Sequence, residues 1–154
     1  MKQLDIRFET LPAYHVACFS GFGAEPEMEA WGKLVVWANE KKIFPLKPGV
    51  RIFGFNNPDP APGSPNYGYD FWITIDPSMD EPGLKTLDFP GGEYAVVHCD
   101  GVEVIVQTWQ ALNQWIEQSE YVYGKYQWLE EVFLKNNNPD DFDHFDLFMP
   151  IQKG

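Results

Sequence analysis

The sequence predicts an α+β fold made of two related strand-helix-strand-strand halves, with antiparallel sheets, a pseudo-twofold relation and a ligand groove between the halves. Three observations predict it. The chain has 154 residues, a length suited to a single apolar core. A pattern recurs at a spacing of roughly 80 residues. Within each repeat the apolar period changes from two to three or four and back to two. With 44% apolar and 16% aromatic residues, the chain has the material for a packed core and not the composition of a disordered one. A single domain over residues 1–154 is expected, with repeat one at about 1–76 and repeat two at about 85–154.

Each repeat opens on an apolar strand after a Pro- or Gly-containing turn. Ala13-Tyr14-His15-Val16-Ala17-Cys18 matches Glu93-Tyr94-Ala95-Val96-Val97-His98, and Gly21 or Gly101 follows. A helical pattern comes next in both, and Trp31-x-x-Leu34-x-x-Trp37 recurs as Trp109-x-x-Leu112-x-x-Trp115. Glu25, Glu27 and Glu29, around Pro26, suit the positive end of the first helix. The second strand of each half runs into an Asn-Pro turn, at Phe53 to Pro58 and at Val132 to Pro139. Tyr69 to Ile75 and Phe145 to Ile151 then close the halves as strands. Between the halves, Asp76 to Pro90 holds Pro77, Pro82, Gly83 and Pro90, and is expected to be a connection too short and too Pro-rich for another element. Each helix is expected to cover one face of its own sheet, the remaining faces meeting at the groove.

Charge narrows the partners. Eleven basic against twenty-three acidic residues give a formal charge of −12, which repels phosphate backbones and anionic headgroups and concentrates cations. Neither nucleic acid nor membrane is an expected partner. The start MKQLDIRFET contains no signal-peptide core, no apolar stretch approaches the ~20 residues of a membrane span, and a cytoplasmic location is expected. Cys18 and Cys99 form no CxxC pair and are read as free, buried thiols. No cofactor or metal is expected. His98-Cys99 is a single histidine beside a thiol, and Pro139 to Asp146 lacks the spacing of an EF-hand loop and is read as a solvated hairpin loop. The Pro-rich stretch Asn56 to Tyr67 is a candidate lid over the groove.

Several runs, in order, carry a family resemblance over nearly the whole chain. They are Pro12-Ala13-Tyr14, the Trp31 to Trp37 helix, Tyr69-Asp70-Phe71-Trp72, Gly92-Glu93-Tyr94-Ala95-Val96, the Trp109 to Trp115 helix, Glu131-Val132-Phe133 and Leu147-Phe148-Met149-Pro150-Ile151. Together they resemble the GyrI-like domains, relatives of the effector-binding modules of bacterial multidrug-responsive regulators. The resemblance implies binding of lipophilic cations between the halves, with a glutamate at the base of an aromatic-lined pocket. Glu131 matches that glutamate best, because Glu131-x-Phe133 stands where the family shows Glu-x-Tyr. Trp72, Tyr69, Trp109 and Phe148 are the candidate walls. Phe133 and Phe148 replace tyrosines of many relatives, which makes for a drier pocket.

Strand alternation puts Glu131 with Leu129 and Phe133, and Glu130 with Val132 and Leu134, the second set belonging on a helix-covered face. Which of the two carboxylates meets the pocket stays open at this point. A carboxylate in an apolar site is costly alone and is offset by a ligand cation. The expected partner is thus a small organic cation with aromatic character, bound without reaction, and no helix-turn-helix segment precedes Met1, so a stand-alone binding module is expected. Two alternatives follow from the same resemblance. One is a hydrolase of electrophilic natural products, with Glu131 as base and Tyr69 or Tyr94 as donor. The other is an acidic protein-interaction module acting on DNA gyrase.

Overall fold

The computed structural model describes residues 4–154. The elements run β1 (Ile6–Leu11), β2 (Tyr14–Gly23), α1 (Pro26–Glu40), β3 (Ile52–Asn56), β4 (Tyr67–Thr74), β5 (Thr86–Phe89), β6 (Gly92–Cys99), α2 (Ile105–Glu117), β7 (Tyr121–Tyr123), β8 (Leu129–Leu134) and β9 (Phe142–Lys153). Pro26 starts α1 where its missing N–H is not needed, and Glu27 and Glu29 sit in the first turn, where negative charge is favoured. The fold is α+β, and every strand pairing is antiparallel.

The strand order is β1-β6-β9-β8-β3-β4-β2-β5, with β7 attached to β9. It consists of two four-strand blocks joined at a β8–β3 seam. Each block takes its outer strand from the chain segment that leads into the other repeat. β1 pairs β6 from Ile6↔Val97 to Leu11↔Gly92, and β5 pairs β2 from Tyr14↔Phe89 to Ala17↔Thr86. The expectation that Asp76 to Pro90 holds no element is therefore corrected. Pro77, Pro82 and Pro90 all lie outside Thr86–Phe89, so each bounds the strand without removing a ladder donor.

Alternation along the strands divides the side chains between two faces. On one face α1 buries Ala30, Leu34 and Ala38 against Ala17, Ile52 and Ile73, while α2 buries Leu112 and Ile116 against Ala95, Val97 and Leu147. The Leu34 and Leu112 of the repeated helical motif are both fully enclosed. Among the described residues the other face carries no helix. There Val16, Phe53, Trp72, Tyr94, Leu129 and Phe148 belong to one core shared by both blocks.

On the helix-free faces, expected to meet at the groove, the space is filled by side chains. Phe148 packs edge-on against Phe53 at 5.9 Å and against Tyr94 at 5.6 Å, and Trp72 packs against Phe55 at 4.8 Å. Aromatic side chains, each worth roughly 1.5–3 kcal/mol when buried, fill that space. Cys18 and Cys99 are both free and buried. No helix among the described residues is long and apolar enough to cross a membrane.

Candidate functional site

At the seam Phe53 pairs with Glu131 and Gly54 with Glu130. Successive residues of β8 point to opposite faces, so the two neighbouring glutamates part company. Glu130 lies with Val132 on the helix-bearing face. Glu131 lies with Leu129 on the helix-free face.

Each helix covers its own block, and the gap above the seam is a cavity of about 580 Å³. Tyr67, Tyr69 and Phe71 of β4, alternate residues on one strand face, form one wall. Ile105, Val106 and Trp109 of α2, with Phe142 and Phe145 of β9, form the other. Glu27 enters from the first turn of α1, and Asn56 and Pro60 from the segment between β3 and β4. At the rim Val102, Val106 and Phe142 are exposed apolar side chains. A second space of about 390 Å³, lined by Phe55, Asp59, Gln127 and Trp128, shares Asn56, Trp109 and Glu130 with the first.

Glu130 is held from two sides. The Tyr69 hydroxyl donates to Oε1 at 2.6 Å, and the Trp109 indole N–H donates to Oε2 at 3.0 Å. Gly54 makes the first contact possible, because a Cβ there would lie 2.4 Å from the Tyr69 hydroxyl. Burial pushes the Glu130 carboxyl above its ordinary 4.5, the two donors pull it partly back, and the charge of Glu27 adds to the rise. Burial and Glu130 together push the Tyr69 hydroxyl well above 10. The Tyr67 hydroxyl donates to Glu27 and is pushed up to about 12 by that bond. Both phenols therefore stay protonated and act as donors. Among the described residues the cavity thus presents two carboxylates and no lysine, arginine or histidine.

Of the residues singled out from the sequence, Tyr69 and Trp109 line this cavity. Trp72 and Phe148 lie in the shared core on the opposite face. Glu131 is also on that face, and there the chain supplies its own cation. Arg51 donates through Nε to Glu131 Oε2 at 2.8 Å and through Nη2 to Oε1 at 2.6 Å, a bidentate pair, and reaches Glu9 at 3.1 Å. Its guanidinium lies 5.2 Å from the Phe53 ring and 5.8 Å from the Phe148 ring. Burial works against the Arg51 charge, but Glu131 and Tyr14 outweigh it and hold the guanidinium protonated well above its ordinary range. Glu131 and Phe148, expected from the resemblance to receive an external cation, meet the guanidinium of Arg51 in this structure.

Sequence reasoning missed Arg51, Gly54, Tyr67, Phe71, Phe142 and Phe145. The Tyr67-x-Tyr69-x-Phe71 alternation was a usable signal for one wall. Arg51 shares the two-residue period of Phe53 and Phe55, yet its pairing with Glu131 depends on the β3–β8 register, which no local pattern specifies.

Residues 7–151 match the Cass2 family, described as integron-associated effector binding proteins. Among solved structures, the C-terminal domain of EcmrR is similar at 15% identity with a TM-score of 0.69, over 99% of this chain and 100% of that one. SAV2435 bound to tetraphenylphosphonium is similar at 12% identity with a TM-score of 0.65, over 97% and 94%. A hydrolase from Listeria innocua is similar at 14% identity with a TM-score of 0.63, over 99% and 94%. At these identities the likeness establishes a GyrI-like effector-binding fold. No curated protein sequence matches the chain.

Proposed function

The chain belongs to the family of integron-associated effector-binding proteins, and from that premise we propose that it binds a lipophilic aromatic cation in the cavity over the β3–β8 seam, with Glu130 as counter-ion. One observation carries this reading. Among the described residues, a partly buried carboxylate is held by neutral donors alone, Tyr69 and Trp109, at the base of an aromatic cavity without a cationic side chain. Its charge is oriented but not neutralised.

Ionising a carboxylate in such surroundings is unfavourable by several kcal/mol, and a cation brought in by the ligand offsets that penalty. Aromatic faces at Tyr67, Tyr69, Phe71 and Trp109 would each add about 0.5–2 kcal/mol, depending on desolvation. Glu27 contributes a second negative charge at the same wall, and the net charge of −12 raises the local cation concentration further. The exposed Val102, Val106 and Phe142 would be covered by the apolar body of the ligand. The bound tetraphenylphosphonium of SAV2435 has the chemistry expected of such a ligand.

Hydrolysis is the competing reading, since a relative is described as a hydrolase and the Tyr69–Glu130 pair joins a phenol to a carboxylate. However, both Glu130 oxygens already accept hydrogen bonds from the protein, which suits holding a charge better than activating a water. The test is calorimetric and fluorescence titration with tetraphenylphosphonium and a neutral aromatic analogue of similar size, on the wild type and on Glu130→Gln. Saturable binding of the cation, weakened at least about tenfold by the substitution, supports the proposal; a tenfold change corresponds to about 1.4 kcal/mol. Equal binding of cation and neutral analogue, or no binding of either, overturns it.

A further inference from the structure

A second cluster of ligand-type side chains lies on the opposite face of the sheet. His98 of β6 pairs across the ladder with Asp146 of β9. His144 precedes Asp146 by two residues, so the strand period places all three side chains on one face. One donor atom from each can be chosen so that the three lie within 4.8 Å of one another, and the imidazole rings are 4.6 Å apart.

The carboxylate at the centre is unusual. Asp146 is only 5% exposed, and Arg7 donates to its Oδ2 at 2.7 Å. Its Oδ1 is buried and has no hydrogen-bond partner among the described residues, although His98 Nδ1 lies 3.5 Å away. A buried carboxylate oxygen left without a donor is costly, and this carboxylate is clustered with two histidines.

Each histidine is also set for one role. His98 Nε2 is engaged by Asp100 Oδ1 at 2.5 Å, which leaves Nδ1 facing Asp146. His144 Nδ1 is engaged by Asp143 Oδ2 at 2.7 Å, which leaves Nε2, and its ring is stacked on Phe133 at 4.3 Å. A carboxylate on the far nitrogen of each ring, and a guanidinium on the far oxygen of the aspartate, is the arrangement of outer partners that orients metal ligands.

We propose that His98 Nδ1, His144 Nε2 and Asp146 Oδ1 form a binding site for one divalent transition-metal ion of the zinc, copper or nickel type. Two imidazoles and one carboxylate match those metals, whereas calcium and magnesium call for more oxygen ligands. Tetrahedral zinc with Zn–N bonds near 2 Å separates its donors by about 3.3 Å, so closure needs the imidazoles to rotate by roughly an ångström. The His98 side chain is half exposed and that of His144 about a quarter exposed. Three protein ligands leave a position open for water or an exogenous ligand. The site does not depend on the proposed cation cavity, which lies across the sheet.

The test uses the tag-free chain, titrated with Zn²⁺ by calorimetry and with Co²⁺ by visible absorption, alongside His98→Ala, His144→Ala and Asp143→Asn. One ion per chain is expected, with a tetrahedral-type Co²⁺ band that Zn²⁺ abolishes. Both histidine variants should lose at least about tenfold in affinity, and Asp143→Asn about tenfold through its effect on ring orientation. Near-UV circular dichroism should be unchanged in these surface variants, showing that folding is not the cause. Absence of binding up to millimolar metal, or binding that persists unchanged in both histidine variants, overturns the proposal and assigns any uptake to the acidic surface.

Discussion

Gly54 stands directly across the seam from Glu130, and the missing side chain there is what admits the Tyr69 hydroxyl to the carboxylate. Gly54→Ala would place a methyl 2.4 Å from that hydroxyl, forcing the ring off Glu130. Overpacking of this kind destabilises by about 1–3 kcal/mol. Urea denaturation should show that loss, and titration with tetraphenylphosphonium should show weakened binding although no charge has changed.

The pH dependence of binding follows from Glu130. Burial raises its carboxyl above 4.5, so the folded protein favours the protonated form. The associated stability is fully present below 4.5 and is lost as pH rises through the elevated folded value. Cation binding has the opposite slope, because it needs the ionised form. Affinity for tetraphenylphosphonium should therefore fall on acidification before ordinary surface carboxylates titrate, and the slope should be absent in Glu130→Gln and for a neutral analogue.

Arg51 and Glu131 give a stability prediction separate from binding. Arg51→Met leaves Glu131, 4% exposed, without its bidentate partner. Breaking one side of a buried pair costs about 3–5 kcal/mol, whereas replacing both sides with apolar groups is often neutral. Thermal unfolding should show a large drop in Tm for Arg51→Met and substantial recovery in the double variant Arg51→Met with Glu131→Leu.

His15 fastens the segment that carries β5. Its Nε2 lies 2.7 Å from Asp80 and its Nδ1 2.7 Å from Asp88, and these two bonds, Asp80 first, raise its pKa above 6.5. The stabilisation is complete below 6.5 and is lost as pH rises past the elevated value. NMR titration should place His15 above an ordinary histidine, and the protection factors of the Thr86–Phe89 amides, corrected for the intrinsic rise of exchange with pH, should fall on the alkaline side. His15→Ala should remove that pH dependence.

Local chemistry carried much of this far. The Trp-x-x-Leu-x-x-Trp repeats marked both helices, and the alternation through Glu130, Val132 and Leu134 placed that set on the helix-covered face. The family-type match favoured Glu131, because it compares residues along the chain and has no information about Arg51, some 80 residues away, which turns Glu131 into an internal ion pair. β5 was missed for a related reason. Four residues between prolines have too weak a period to register, and β2 across the ladder is what makes them a strand. Tyr69 and Trp109 were nameable as aromatic candidates, but their convergence on one carboxylate comes from tertiary packing.

The crossed outer strands constrain how the molecule can move. Since β1 is bonded to β6 and β5 to β2, each block is laced to sequence belonging to the other. A cut between Asp76 and Lys85 would not release two half-size modules; β1 would depart with a block it does not pair with, and so would β5. The same lacing opposes any hinge that would part the blocks along the seam. On the proposed reading, any adjustment to a ligand would fall to side-chain rotation at Trp109 and Phe142 and to the segment between β3 and β4 that carries Pro60, with the sheet as an unyielding floor.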